Sequence, residues 1–178
     1  RRLLPYGDLR EPLASLSRAK LVVLTHADLV TPSELDLLKD EIRDLSPGAA
    51  VVESAHKPDY LLEASSDLRL EPGSLRGKKA VALSGIADPE QFEDLLASLG
   101  VELVQRWRYP DHHPFSEEEL RSIDTARQGL PVIATMKDLV RLPPAWREIL
   151  GSGLHGLAIK LEITKGKATW AKMLTEGL

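Results

Sequence analysis

The chain has no cysteine, two methionines and few aromatic residues: three Trp, three Tyr and two Phe in 178 positions. Without thiols there is no disulfide framework and no thiol nucleophile, and a zinc site would have to be built from His and carboxylates alone. The five His residues are spread along the chain. No apolar run approaches the roughly 18 residues of a membrane-spanning helix, and the longest, such as Leu21-Val22-Val23-Leu24, are strand-sized. A near-balance of 23 basic and 27 acidic side chains, net −4, gives no general electrostatic reason to bind polyanions, so no nucleic-acid partner is expected. The 12 Gly and 12 Pro are scattered, which excludes a fibrous chain, and 43% hydrophobic with 28% charged residues excludes disorder. At about 150 residues per domain the length fits one domain or one and a half. The start, Arg1-Arg2-Leu3-Leu4-Pro5, has neither the apolar core of a signal peptide nor an initiator Met, so a preceding segment is expected.

What is present is a repeated strand-then-helix pattern. Thr31-Pro32-Ser33-Glu34 places Thr at an N-cap, Pro at the first helical position and Glu at the third, ahead of an apolar face of Leu35, Leu38, Ile42 and Leu45. Asp88-Pro89-Glu90-Gln91 repeats the design before Phe92, Leu95, Leu96 and Leu99, with Gly100 as the expected C-terminal stop. Ser116-Glu117-Glu118-Glu119 starts a third helix, which Gly129 and Pro131 end. Strands are expected at 21–24, 50–53, 80–83, 101–107, 132–135 and 157–163. Several are too continuously apolar for a half-exposed sheet, so the spacing predicts an α/β fold, a mostly parallel sheet with helices on both faces. The expected divisions are a first βα portion over 1–53, a loop-rich connection over 54–79 and a C-terminal α/β portion over 80–178. In such a sheet ligands sit beyond the carboxyl ends of the strands.

The strand-end loops hold the candidate chemistry. Asp111-His112-His113, held between Pro110 and Pro114, is the densest polar cluster; an imidazole beside a carboxylate suits acid/base work near neutral pH. The two His residues would equally serve to satisfy loop hydrogen bonds or help cap the following helix. A metal reading would need further ligands from His26 and His155, and no metal site is assigned. Lys137, in Thr135-Met136-Lys137-Asp138, could hold an anionic group or be a solvated partner of Asp138, and Gly85 could admit a ligand close to the backbone or simply make a turn. Near the N-terminus, Arg10 and Glu11 join a phosphate-binding residue type to a metal- or hydroxyl-binding one, or form a plain surface pair. Trp107, Trp146 and Trp170 read as packing residues. No Gly-x-x-x-x-Gly-Lys-Ser/Thr and no Gly-x-Gly-x-x-Gly occurs, so the chain carries no recognisable phosphate cradle.

Taken in order, four segments resemble the C-terminal part of the tetraacyldisaccharide 4′-kinase family, the lipid A 4′-kinases. They are Leu3-Leu4-Pro5-x-Gly7-x-Leu9-Arg10-Glu11-Pro12-Leu13, Ala82-Leu83-Ser84-Gly85-Ile86-Ala87-Asp88-Pro89-Glu90-Gln91-Phe92, Tyr109-Pro110-Asp111-His112-His113-Pro114-Phe115 and Thr135-Met136-Lys137-Asp138-Leu139-Val140. The resemblance implies a P-loop-kinase-like protein that moves the γ-phosphate of ATP, with Mg2+, onto the 4′-hydroxyl of a lipid A disaccharide 1-phosphate precursor at the cytoplasmic face of the inner membrane. It implies His112 as the catalytic His, with Asp111, Arg10 and Glu11 beside it, and Gly85, Lys137 and His113 toward the substrate. The family's phosphate-binding loop, metal-binding Asp pair and membrane-associating segment all precede this chain's start. An N-terminal P-loop domain is therefore the implied partner, together with a membrane surface, and the chain alone is expected to be inactive. Where the family has Thr-Glu-Lys-Asp, Met136 removes one carboxylate. The alternative of a different class is a non-catalytic α/β module that binds a ligand or a protein; a His-based metal hydrolase finds no supporting ligand spacing.

Overall fold

A computed structural model describes residues 2–176. Strands β1 (Leu21–Leu24), β2 (Ala50–Glu63), β3 (Leu68–Leu70), β4 (Lys79–Ser84), β5 (Glu102–Arg108), β6 (Val132–Thr135) and β7 (Leu154–Lys165) alternate with helices α1 (Pro32–Leu45), α2 (Pro89–Ser98), α3 (Glu117–Arg127), α4 (Met136–Leu139), α5 (Trp146–Ile149) and α6 (Lys167–Glu176). The chain divides into two compact units, Arg1–Lys57 with Leu161–Leu178, and Pro58–Lys160, so β2 and β7 each contribute residues to both.

In the first unit β1 runs parallel to the start of β2, Leu21 opposite Ala50 through Leu24 opposite Glu53. Helix α1 begins as its sequence predicts: the Thr31 hydroxyl accepts from the Glu34 N–H while the Glu34 carboxylate accepts from the Thr31 N–H, satisfying two otherwise orphaned donors. Its Leu35 and Ile42 pack with Leu24 and Ala27. Glu53, buried in β2, takes Lys39 of α1 at 2.5 Å and Lys165 of β7 at 3.3 Å. The Lys39 hydrogen bond outweighs burial and holds the Glu53 carboxyl below its ordinary pKa.

The second unit carries the strand order β2-β7-β6-β4-β5, with β3 antiparallel on β2. Strand β4 runs parallel to both β5 and β6 and is covered on both faces, confirming the predicted fold class. Val81 and Leu83 face Leu120 and Ile123 of α3, whereas Ala80 and Ala82 face Phe92 and Leu96 of α2. This is the period-2 alternation of a strand buried twice. Edge strand β5 is tied to α2 by Glu93, which receives both Nε (2.7 Å) and Nη2 (2.8 Å) of Arg108 and Nε of Arg106 at 3.0 Å. Trp107 and Trp146 pack against the α3 side of the core, as packing residues should.

The stretch 54–79, expected to be loop-rich, instead continues β2 to Glu63 and includes β3. Lys57-Pro58-Asp59 reads as a turn in one dimension. Yet the fixed φ of Pro and the extended bias it imposes on the preceding residue are both compatible with a strand, and the tripeptide extends β2 rather than ending it. Strand β7 likewise starts three residues before the expected 157.

Leu120 is fully buried, so Leu120→Ala should cost about 2–5 kcal/mol in urea denaturation. Leu37→Ala, on the exposed side of α1, should stay within about 0.5 kcal/mol. Equal midpoints would refute the packing. Burial pushes the His155 imidazole below its ordinary 6.5. The unfolded chain therefore binds the proton more readily, and stability should fall as pH drops through about 6.5 and toward the lower folded value. His155→Gln should flatten that slope between pH 7 and 5; an unchanged slope would assign it elsewhere.

Candidate active site

Because β4, β5 and β6 are parallel, their carboxyl ends share one edge of the sheet, and the loops that follow them meet there. The backbone joins them directly. Ser84 C=O accepts from Tyr109 N–H at 2.8 Å, and Gly85 C=O accepts from His112 N–H at 3.1 Å. The structure thus gathers Gly85, Asp111, His112 and His113, four of the residues singled out in the sequence.

His112 occupies the left-handed region at φ 60° and projects its ring outward, 84% exposed. A non-glycine residue holds that conformation only when neighbours enforce it. Here its N–H also meets the Asp111 Oδ1 at 3.0 Å, and the following His113 N–H donates to Pro110 C=O at 3.1 Å. The Asp111 Oδ2 lies 3.7 Å from His112 Nε2, an ion pair whenever the ring is protonated. A fixed backbone thus carries a solvent-facing imidazole with a carboxylate beside it.

His113 lies differently. Its ring stacks on Tyr109 (centroids 4.5 Å, planes 22° apart) and meets the edge of Phe115 at 5.1 Å, and Nε2 reaches Glu119 at 3.0 Å. Glu119 is also the reciprocal partner in the Ser116 capping box that opens α3. Burial raises its carboxyl pKa, but the Ser116 N–H and the His113 ring outweigh that and keep it below the ordinary value. Of the two readings of the His pair, His113 follows the cap-and-loop one, whereas the His112 ring stands exposed beside Asp111.

The floor of the cluster is Asp138, which is fully buried in α4 and pairs with Arg141, so it is not the solvated partner of Lys137 that its motif allowed. Oδ1 accepts from the Gly85 N–H at 3.2 Å and pairs with Arg141 at 3.2 Å; Oδ2 accepts from the Thr135 hydroxyl at 2.6 Å, and that hydroxyl caps the Asp138 N–H. Arg141 Nη1 donates to Gly85 C=O at 3.0 Å. The signal that could have found Asp138 was the Thr-x-x-Asp spacing of a capping box. Ser84, buried at the end of β4, has a side-chain hydroxyl with no hydrogen-bond partner among the described residues. Neighbouring Lys137 is exposed. At Met136 the sulfur packs against β7, 2.8 Å from where a Cβ on Gly156 would stand.

Arg10 and Glu11 belong to the first unit, where both are exposed and Glu11 pairs with Arg18 rather than Arg10. His26 sits beside His56 in that unit, ring centroids 4.5 Å apart, while His155 lies in β7. Among the described residues no three His, Asp or Glu side chains are grouped to hold a metal ion, and no helix is long and apolar enough to cross a membrane.

A side chain at Gly85 would be crowded: a Cβ would stand 3.2 Å from Phe115 Cζ, 3.3 Å from Asp138 Oδ1 and 3.4 Å from His113 Cβ, all held in place by their own contacts. Gly85→Ala should therefore destabilise by about 1–3 kcal/mol. Gly73→Ala, with open space around it, serves as the neutral control. Indistinguishable melting midpoints would show that the loop yields freely.

Comparison with known proteins adds an independent line. A family model described as LpxK, tetraacyldisaccharide-1-P 4′-kinase, matches residues 1–177. Proteins named tetraacyldisaccharide 4′-kinase from Elusimicrobium minutum (39% identical, 93% of this chain, 44% of the relative) and Anaeromyxobacter dehalogenans strain 2CP-C (40%, 92% and 44%) align with it. The chain spans about half the length of the curated relatives it matches. A crystal structure described as the "apo" form of LpxK from Aquifex aeolicus in complex with ATP shares the fold, with a TM-score of 0.65 and 24% identity over 98% of this chain and 48% of that one. A family model that matches nearly every residue places this chain in the tetraacyldisaccharide 4′-kinase family.

Proposed function

We propose that this chain is the C-terminal portion of an ATP-dependent kinase that phosphorylates the 4′-hydroxyl of a lipid A disaccharide 1-phosphate precursor. The observation that carries the reading is His112. It stands exposed at the end of a parallel sheet on a fixed left-handed backbone, in a chain matched end to end by the kinase family.

Phosphoryl transfer asks the protein mainly for positioning and charge stabilisation, and for a group to take the proton of the attacking hydroxyl. In this reading His112 accepts that proton, and Asp111 stabilises the imidazolium that results. Gly85 keeps the backbone of the site low, His113 holds the wall through Glu119 and borders the substrate, and exposed Lys137 meets an anionic group of the substrate. Arg10 and Glu11 take the catalytic roles that the family resemblance implies. The reaction needs ATP and Mg2+, but neither fits the residues described here. No carboxylate trio and no phosphate-cradling glycine motif is present among them, so no step of nucleotide or metal binding is assigned to this chain. An N-terminal P-loop domain is the proposed partner that supplies them, at the cytoplasmic face of the inner membrane.

The test is ATP-dependent phosphorylation of the disaccharide 1-phosphate by this chain alone and by the chain joined to its encoded N-terminal domain, with activity expected only in the joined form. In that enzyme His112→Ala should lower turnover by about 10²-fold or more. His113→Ala should act chiefly by lowering the melting midpoint. Small, equal effects on turnover would remove His112 from its role, and no activity in the joined, folded form would favour a binding module.

A further inference from the structure

We propose that Asp138, acting with Arg141, is the positioning residue that holds His112 in its working geometry; the inference rests on the kinase reading above. The path is short and continuous. Asp138 Oδ1 takes the Gly85 N–H, Gly85 C=O takes the His112 N–H, and Arg141 closes the ring by binding both Asp138 and that same carbonyl. Gly85 is thereby held at both its N–H and its C=O, and the His112 N–H hangs from that carbonyl with His112 at φ 60°.

Energetics argues that this arrangement serves geometry more than stability. A fully buried carboxylate is costly to desolvate, and a well-packed apolar residue of similar volume is often as stable or more so. Asp138 directs its bonds away from the apolar core, to a loop, a capping hydroxyl and one arginine. Its bonds to the Gly85 N–H and the Thr135 hydroxyl tie the end of β4 to the end of β6, and the Gly85 carbonyl, which accepts from the His112 N–H, extends the link to the loop after β5. An amide in place of the carboxylate loses the Arg141 ion pair and leaves one acceptor where the Gly85 N–H and the Thr135 hydroxyl had two, so the backbone at Gly85, whose carbonyl anchors His112, is held less firmly. A catalytic base displaced by even about 1 Å loses much of its contribution to rate while ground-state binding of the co-substrate is unaffected.

The experiment uses the complete enzyme carrying Asp138→Asn, Arg141→Gln, Thr135→Val and Thr135→Ser. Asp138→Asn and Arg141→Gln should lower kcat by about 10-fold or more, with KM for ATP within about twofold of the parent. Thr135→Ser, which keeps the hydroxyl, should restore what Thr135→Val loses. Combined with His112→Ala, Asp138→Asn should add no further loss, since both changes then act on one device. Multiplicative losses, or a fall in kcat matched by a rise in KM for ATP, would overturn the assignment. Hydrogen exchange supplies the arm that needs no activity. The Gly85 and His112 amides should exchange faster in Asp138→Asn and Arg141→Gln while the amides of β4 and α3 stay protected. Unchanged exchange at Gly85 and His112 refutes the positioning role whether or not the enzyme is a kinase. Faster exchange in a parent enzyme without kinase activity would leave the positioning role standing and defeat the kinase reading. Arg141 is partly exposed, so its variant remains informative if Asp138→Asn fails to fold.

Discussion

Burial of strand β4 on both faces is the constraint from which the rest of the larger unit follows. A strand with Ala80 and Ala82 toward one helix and Val81 and Leu83 toward another must be flanked by parallel neighbours, because its connections leave over the two faces. Parallel neighbours in turn put the ends of β4, β5 and β6 along one edge. The loops there have lost their ladder partners and must find others, and they find one another: Ser84 with Tyr109, Gly85 with His112 and with Asp138. The site is therefore a product of how the sheet terminates, assembled from residues more than fifty positions apart.

The handling of buried charge separates the structural from the functional. Glu53, Glu93 and Asp138 are the buried carboxylates among the described residues, and each is matched to basic side chains. Glu53 links α1 to β7 in the first unit, and Glu93 clamps α2 to edge strand β5. Both connect regular elements and need no further explanation. Asp138 alone accepts from a loop backbone, the Gly85 N–H, and the carbonyl of that same residue accepts from the His112 N–H. The same physics, a desolvated carboxylate that must be satisfied, works as a fastener between elements in two places and as the anchor of a strand-end loop in the third.

The two adjacent histidines show how little separation in sequence is needed for different fates. At His112 a positive φ turns the ring into solvent; one residue later the chain is extended toward Phe115 and the ring lies between aromatic neighbours and Glu119. Composition and local spacing cannot make that distinction, since both residues are imidazoles in one short loop. The backbone conformation makes it, and the Gly85 carbonyl and the Asp111 carboxylate enforce that conformation.

Local rules were enough to read the three capped helices at Thr31, Asp88 and Ser116, because a cap is a contact between residues three apart. The two-sided burial of the apolar strands, the parallel α/β class and the strand-end search area also followed from sequence, since a run apolar at every position has both faces of the pleat to bury. The motifs sufficed for the family resemblance. The sequence alone misread 54–79, where Lys57-Pro58-Asp59 carries turn residues but continues a strand, because only pairing partners decide between a turn and an extended edge. Apart from what the resemblance implied, it could not tell the setting of His112 from that of His113, could not show that Glu11 pairs with Arg18, and did not raise Asp138 above its neighbours. Each of those outcomes depends on which distant groups share a space, and a buried polar atom takes whatever partner the tertiary fold brings within about 3 Å of it.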